Sequence, residues 1–196
     1  MMSDIRGFTA FTQAMTEQGR VKELVDQLNA YFSEVVDAVH AEEGTVDKFI
    51  GDAVLAVFGA PIKKSSSMNA LAAVRTAIEL QRRLAMLNHA WAAKGHSPWE
   101  QVVILSYGSV VSGNIGCASR MDYTVIGDAV NTASRLEGVA KQCGKSIVMS
   151  AAVAERLPGK WPLQDLGTFP IRGQREQRVF ALQTDTKAGT SVNPDH

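Results

Sequence analysis

The stretch Thr45-Val46-Asp47-Lys48-Phe49-Ile50-Gly51-Asp52-Ala53-Val54-Leu55-Ala56-Val57-Phe58 decides how this chain folds. Two short runs rich in Val, Phe and Ile flank Gly51-Asp52, a dipeptide suited to a tight hairpin turn. The pattern predicts two antiparallel strands with a carboxylate at their tip. Toward the N-terminus, Val21, Leu24, Val25, Leu28, Tyr31, Phe32, Val35, Val36 and Val39 recur at three- and four-residue spacing, which predicts an amphipathic helix from Val21 to His40 that ends before Gly44. Toward the C-terminus, Pro61 and the Lys63 to Ser67 cluster read as a loop. A second long helix follows, with Leu71, Val74, Ile78, Leu84, Leu87 and Trp91 on one face and Gly95 beyond its end.

Further on, Gln101 to Ile115 holds two strand-like runs broken by Tyr107-Gly108-Ser109, and Gly113 to Met121 is turn-rich. Tyr123 to Ile126 is expected as a strand entering a helix from Asp128 to Gln142 that closes at Gly144. Ser146 to Met149 reads as a strand, Ala151 to Leu157 as a short helix, and Gln164 to Phe169 with Arg178 to Gln183 as a last strand pair around an Arg-Gly turn. Neighbouring hairpins interleaved with helices predict an α+β domain, its helices packed on a mostly antiparallel sheet. The domain is expected over residues 1–183, with a polar tail over 184–196.

The chain of 196 residues is long enough for a substantial core, and its 45% hydrophobic content is that of a globular protein. Lys plus Arg number 20, as do Asp plus Glu, so bulk charge excludes capture by nucleic acid or an anionic membrane. Cys117 and Cys143 lack ligand spacing and are too few for a disulfide framework, which makes a reducing, cytoplasmic setting the expectation. No apolar stretch approaches a membrane span. Met1, Met2 and Ser3 run directly into Asp4, where a preceding strand is expected, so the chain reads as a piece of a longer protein.

Two carboxylates stand at expected strand ends beside glycine: Asp4 in Ser3-Asp4-Ile5-Arg6-Gly7-Phe8-Thr9, and Asp52 at the hairpin tip. If strand pairing joins them, they can share Mg²⁺ or Mn²⁺, which favour carboxylate oxygen and leave positions for substrate phosphates. Gly7 and the amides of Phe8 and Thr9, opening a helix, would add an anion-binding nest. Turn and N-cap aspartates that hold no metal fit the same residues. Asn131 and Arg135 lie four apart on an expected helix and can reach one ligand, where Arg suits charge on a phosphoryl group; a solvated helix face is the alternative.

The ordered set Asp4 to Thr9 (DIRGFT), Asp47 to Asp52 (DKFIGD), Gly113 to Gly116 (GNIG) and Tyr123 to Glu137 (YTVIGDAVNTASRLE) resembles the class III adenylate and guanylate cyclases, over almost the whole chain. The resemblance implies the cyclase homology domain, with a ferredoxin-like βαββαβ core. It also implies that Asp4 and Asp52 hold two Mg²⁺ or Mn²⁺ ions with help from the Ile5 carbonyl. Lys48, Thr124 and the Val125 carbonyl would read the purine, Asn131 would position the ribose, and Arg135 would stabilise the transition state at the α-phosphate. Lys48 with Thr124 points to ATP rather than GTP and to the subgroup that includes bicarbonate-responsive enzymes. Either Arg172 or Arg175 would contact the triphosphate, where the family commonly has lysine and this chain has Gln174 between arginines. The two half-sites would meet only across a head-to-tail homodimer, usually fused to a regulatory module, with no nucleic acid or membrane contact by this domain. One departure is Ile104-Leu105-Ser106, where the family often shows Gly-Ile-His.

Overall fold

A computed structural model describes residues 1–170 and 176–183 of the chain. Arg172, Arg175 and the tail 184–196 lie outside the described residues. In chain order the elements are β1 (Met2–Ile5), α1 (Phe8–Glu17), α2 (Val21–Ala41), β2 (Thr45–Ile50), β3 (Ala53–Val57), α3 (Ser66–Ala92) and β4 (Gln101–Leu105), then β5 (Val111–Cys117), β6 (Arg120–Ile126), α4 (Asp128–Cys143), β7 (Ile147–Ser150), α5 (Ala151–Ala154), β8 (Leu163–Phe169) and β9 (Gln177–Leu182).

The expected hairpin forms, with Ile50 opposite Ala53 and Gly51 at φ +63°, a backbone region open to glycine at little cost. It joins a seven-stranded sheet of order β2-β3-β1-β4-β7-β9-β8. All neighbours in it are antiparallel except β4 and β7, whose parallel pairing requires a crossover, here the β5–β6 hairpin and α4. The first four strands with their helices give the ferredoxin-like order β2-β3-β1-β4.

Helices cover both faces of the sheet. On one face α2 and α3 pack Tyr31, Val35, Val39, Val74, Ala77 and Leu80 against Ile5, Val54, Val103 and Leu105. On the other, Ala133, Leu136, Val139 and Ala140 of α4 pack against Met2, Val102, Ile104, Val148 and Val179. Each buried Val or Leu contributes about 1.5–3 kcal/mol of hydrophobic stabilisation. Ile104 and Leu105, the departure from the family pattern, are fully buried in these two cores. Successive residues of a strand alternate between faces. In β1, Ile5 therefore joins the α2/α3 side, while Met2, and with it Asp4, turns toward α4.

Two expectations need correction. Gly113 to Met121, expected to be turn-rich, is turn only at 118–119, because Gly113–Cys117 completes β5 and Arg120–Ile126 forms β6, paired from Val111↔Ile126 to Cys117↔Arg120. Ser66 and Ser67 are not loop residues: α3 starts at Ser66, with Ser65 as N-cap accepting from the Met68 N–H at 3.2 Å. Among the described residues no helix is long and apolar enough to cross a membrane.

Candidate active site

Asp4 sits on central strand β1 and Asp52 at the β2–β3 turn, and the antiparallel pairing of β1 with β3 brings them together. The Ile5 N–H donates to Asp52 Oδ2 at 3.2 Å, tying the turn to the strand that carries Asp4. Burial first, then the charges of Glu137 and Asp52, raise the Asp4 carboxyl to about 6 against the opposing pull of Lys141. Burial also raises the Asp52 carboxyl, against the pull of backbone hydrogen bonds including that from Ile5. Two desolvated carboxylates side by side favour a bound cation. Among the described residues no three His, Cys, Asp or Glu side chains gather into a metal cage. What the described residues could offer a cation here is the pair of carboxylates, an open oxygen site of the kind Mg²⁺ completes with water and phosphate.

Beside the acids, Gly7 caps α1 in the left-handed region at φ +68°. Phe8 and Thr9 open the helix, whose first amides have no intrahelical acceptor. An aromatic cluster fixes this corner: Phe8 and Phe11 meet Trp99 edge-on at 5.8 and 5.5 Å, and Trp99 packs on Trp91 at 4.9 Å.

A second cluster forms where β6 crosses β2. The Thr124 hydroxyl donates to Asp47 Oδ2 at 2.8 Å and the Val125 N–H to Oδ1 at 3.2 Å, while Lys48 Nζ stands 3.5 Å from Oδ2. Lys48 and the pair Thr124 and Val125, far apart in sequence, thus meet on one carboxylate. Gly127 closes the β6–α4 turn, where a Cβ would lie 2.8 Å from the Ser109 carbonyl oxygen. From there α4 projects Asn131 and Arg135, both exposed, and among the described residues neither side chain has a hydrogen bond or ion pair.

Three residues of these clusters were not singled out from sequence. Asp47 carries the Lys48–Thr124 junction; the available signal was its place directly before Lys48. Glu137 and Lys141 form an i,i+4 ion pair on α4, and Lys141 Nζ also lies 3.5 Å from Asp4 Oδ1. That spacing was visible, but the facing carboxylate was not. Glu137 and Asp4 raise the pKa of Lys141, Glu137 most strongly. An apolar cavity of about 100 Å³ between β3, β4 and α4, lined by Leu55, Phe58, Leu105 and Val130, touches only Val125 among the site residues.

The fold and site together define a ferredoxin-like α+β domain whose carboxylate pair, beside a helix N-terminus, suits cations and phosphates. Residues 1–184 match the family model described as the adenylate and guanylate cyclase catalytic domain, and the chain belongs to that family. It is 33% identical over 200 residues to Adenylate cyclase 1 of Rhizobium meliloti (strain 1021), which covers 98% of this chain and 29% of that protein. It superposes on the crystal structure of the adenylyl cyclase CyaB from P. aeruginosa with a TM-score of 0.82 at 31% identity, covering 97% and 94% of the two chains. The guanylate cyclase domain of RhGC from Catenaria anguillulae, solved in complex with GTP, aligns with a TM-score of 0.74 at 25% identity, covering 93% of each chain. The chain spans less than a third of the length of the first curated relatives it matches.

Proposed function

We propose that this domain is an adenylate cyclase: the ribose 3′-hydroxyl of ATP attacks the α-phosphorus, the bond to the leaving β-phosphate breaks, and 3′,5′-cyclic AMP and pyrophosphate form. The observation that carries the reading is the convergence of Asp4 and Asp52, two desolvated carboxylates joined through the Ile5 N–H beside the start of α1. These acids and the Ile5 carbonyl would hold two Mg²⁺ or Mn²⁺ ions, which supply a lowered pKa at the attacking hydroxyl and charge neutralisation on the phosphates. Gly7 and the amides of Phe8 and Thr9 cradle the triphosphate, with Arg172 or Arg175 as its basic partner. Lys48 donates to adenine N1 and Thr124, with the Val125 carbonyl, accepts the exocyclic amine. Asn131 orients the ribose, and Arg135 stabilises charge at the α-phosphate.

The geometry of α4 supports a head-to-tail homodimer. Asn131 and Arg135 share one face, whereas Glu137 and Lys141, which face Asp4, lie roughly 120° away around the axis. Asn131 is also about 15 Å along the helix from Lys141. The Asn/Arg face is thus aimed away from the acids of its own protomer and toward a partner's. The rim beside it is apolar and exposed, with Phe49 and Ile50 of β2 and Val111, Met121, Tyr123 and Ile126 of β5 and β6. A C₂ dimer would bury this rim twice and build two equivalent sites.

An assay with Mn²⁺ and either ATP or GTP across a protein dilution series tests the reading. Cyclic AMP production whose specific activity falls on dilution is expected. Comparable turnover of GTP would favour a guanylate cyclase, and absence of turnover with retained nucleotide binding would favour a regulatory binding module.

A further inference from the structure

Asp47 lies where β2 breaks its regular pairing. The β2–β3 register shifts between Val46 and Lys48, which makes Asp47 the extra residue of a β-bulge. Bulges re-aim side chains, and this one lets two consecutive residues, Asp47 and Lys48, serve the same junction with β6. The Asp47 side chain is 5% exposed, and its two oxygens take the Thr124 hydroxyl, the Val125 N–H and the Lys48 ammonium.

We infer that Asp47 is the positioning residue that sets purine specificity, by fixing the direction of the Thr124 hydroxyl proton and holding Lys48 beside it. The inference rests on the proposed purine-reading role of Lys48 and Thr124 and goes beyond it. A carboxylate only accepts, so the Thr124 proton is committed to Asp47 and the hydroxyl oxygen offers a ligand lone pairs alone. Lys48 offers only N–H donors. An acceptor next to a donor matches adenine, whose exocyclic amine donates and whose N1 accepts; guanine reverses both, with O6 accepting and N1–H donating. Without Asp47 a threonine hydroxyl could turn and serve either base.

Asp47→Asn isolates this effect. The Val125 N–H needs the one remaining carbonyl oxygen, which leaves the amide NH₂ facing the Thr124 oxygen. The hydroxyl proton is then released toward the base. Kinetics with ATP, GTP and purine riboside triphosphate, which lacks the exocyclic amine, read the result. In the parent enzyme ATP is expected to lead both analogues. In Asp47→Asn the ATP/GTP ratio of kcat/KM is expected to fall by about 10- to 100-fold, the worth of one or two polar contacts to the base. The penalty for lacking the amine should disappear, chiefly in KM. A uniform fall for all three nucleotides, with the ratios unchanged, would mean that Asp47 is only a strand clamp and would overturn the inference. If Asp47→Asn melts early, Asp47→Glu carries the test: its carboxylate still accepts the hydroxyl proton, so the ATP preference should persist, and its loss would count against the inference. Thr124→Val and Lys48→Glu separate the two levels of argument. If they leave the ATP/GTP ratio untouched, the purine-reading assignment fails and this inference with it; if they shift it while Asp47→Asn does not, only the role of Asp47 falls.

Discussion

Two buried or half-buried acidic corners of this domain, less than a sheet's width apart in the fold, are built on opposite principles. Around Asp47 every carboxylate oxygen has a protein donor, from Thr124, Val125 and Lys48. Among the described residues, the acids around Asp4 and Asp52 are drawn together with Glu137 nearby, against one ammonium, that of Lys141. The first corner is satisfied internally and fixes the orientation of its neighbours. The second, among the described residues, is short of positive charge and suited to a ligand that brings it. A carboxylate's role therefore depends on whether the fold supplies its donors, which residue type alone does not tell.

The sharpest break of this contrast is Asp52→Ala. Loss of one acid from the under-compensated corner should reduce metal-dependent cyclic AMP formation on the order of a thousandfold, with an unchanged circular dichroism spectrum. Activity near the parent level would show that the corner is merely acidic. The next test asks whether the acids and the Asn131/Arg135 face serve one site from two protomers. Asp52→Ala and Arg135→Ala should each be nearly inactive alone. Mixed in equal amounts under exchange they should recover about a quarter of the parent activity, because half the dimers are mixed and each holds one intact site of two. No recovery despite demonstrated exchange would place both sets in a single protomer.

What could be read in advance divides along the same physical line. The long helices and the β2–β3 hairpin were legible because their apolar periodicity or turn chemistry is local, and the Gly51-Asp52 tip announced an exposed carboxylate. The β5–β6 hairpin was legible only in part, as a strand-like run up to Ile115 and a strand from Tyr123, and its tight turn was missed. Val111–Cys117 carries two glycines and is exposed or half-exposed at every position, so no alternation of faces carries the strand on through Gly116 and Cys117. The β4–β7 parallel pairing has no local signature either. In the site, Asp4, Asp52 and the Asn131/Arg135 spacing were visible, whereas Asp47 acts through a bulge and through Thr124, 77 positions away. Lys141 drew no reading from sequence, because its partner Asp4 is brought to α4 only by the strand alternation of β1.

Lys141 offers a smaller test. Its ammonium shares with any metal the carboxylate of Asp4, and its side chain is 47% exposed, which limits its weight. Lys141→Met should tighten Mn²⁺ binding about fivefold at low salt, as read by water-proton relaxation, and the gain should shrink as salt screens the pair. Lys141→Arg should behave like the parent. Unchanged affinity in Lys141→Met would mean that the ammonium is too solvated to compete.

The smallest expected effect is on stability, and its sign follows from Asp4. Its carboxyl is raised, by burial first and then by the charges of Glu137 and Asp52, from 3.8 to about 6 in the folded chain, so the folded state holds the proton more tightly than the unfolded one. The associated stability is fully present below about pH 4 and is lost as pH rises through about 6. Asp4→Asn has no charge to desolvate. With metal chelated, the variant should melt at nearly the parent temperature at pH 4 and gain steadily up to about pH 7. There the difference should level off near 1 kcal/mol, reduced from the full shift because the group is only half-buried, or about 2–4 °C for a domain of this size. Adding Mn²⁺ at pH 7 should reverse the order, since only the parent has an ionised Asp4 to bind it and binding to the folded state alone raises its stability. A melting difference that is flat across pH, or of opposite sign, would mean that Asp4 is well solvated and that its corner is no hungrier for positive charge than the one around Asp47.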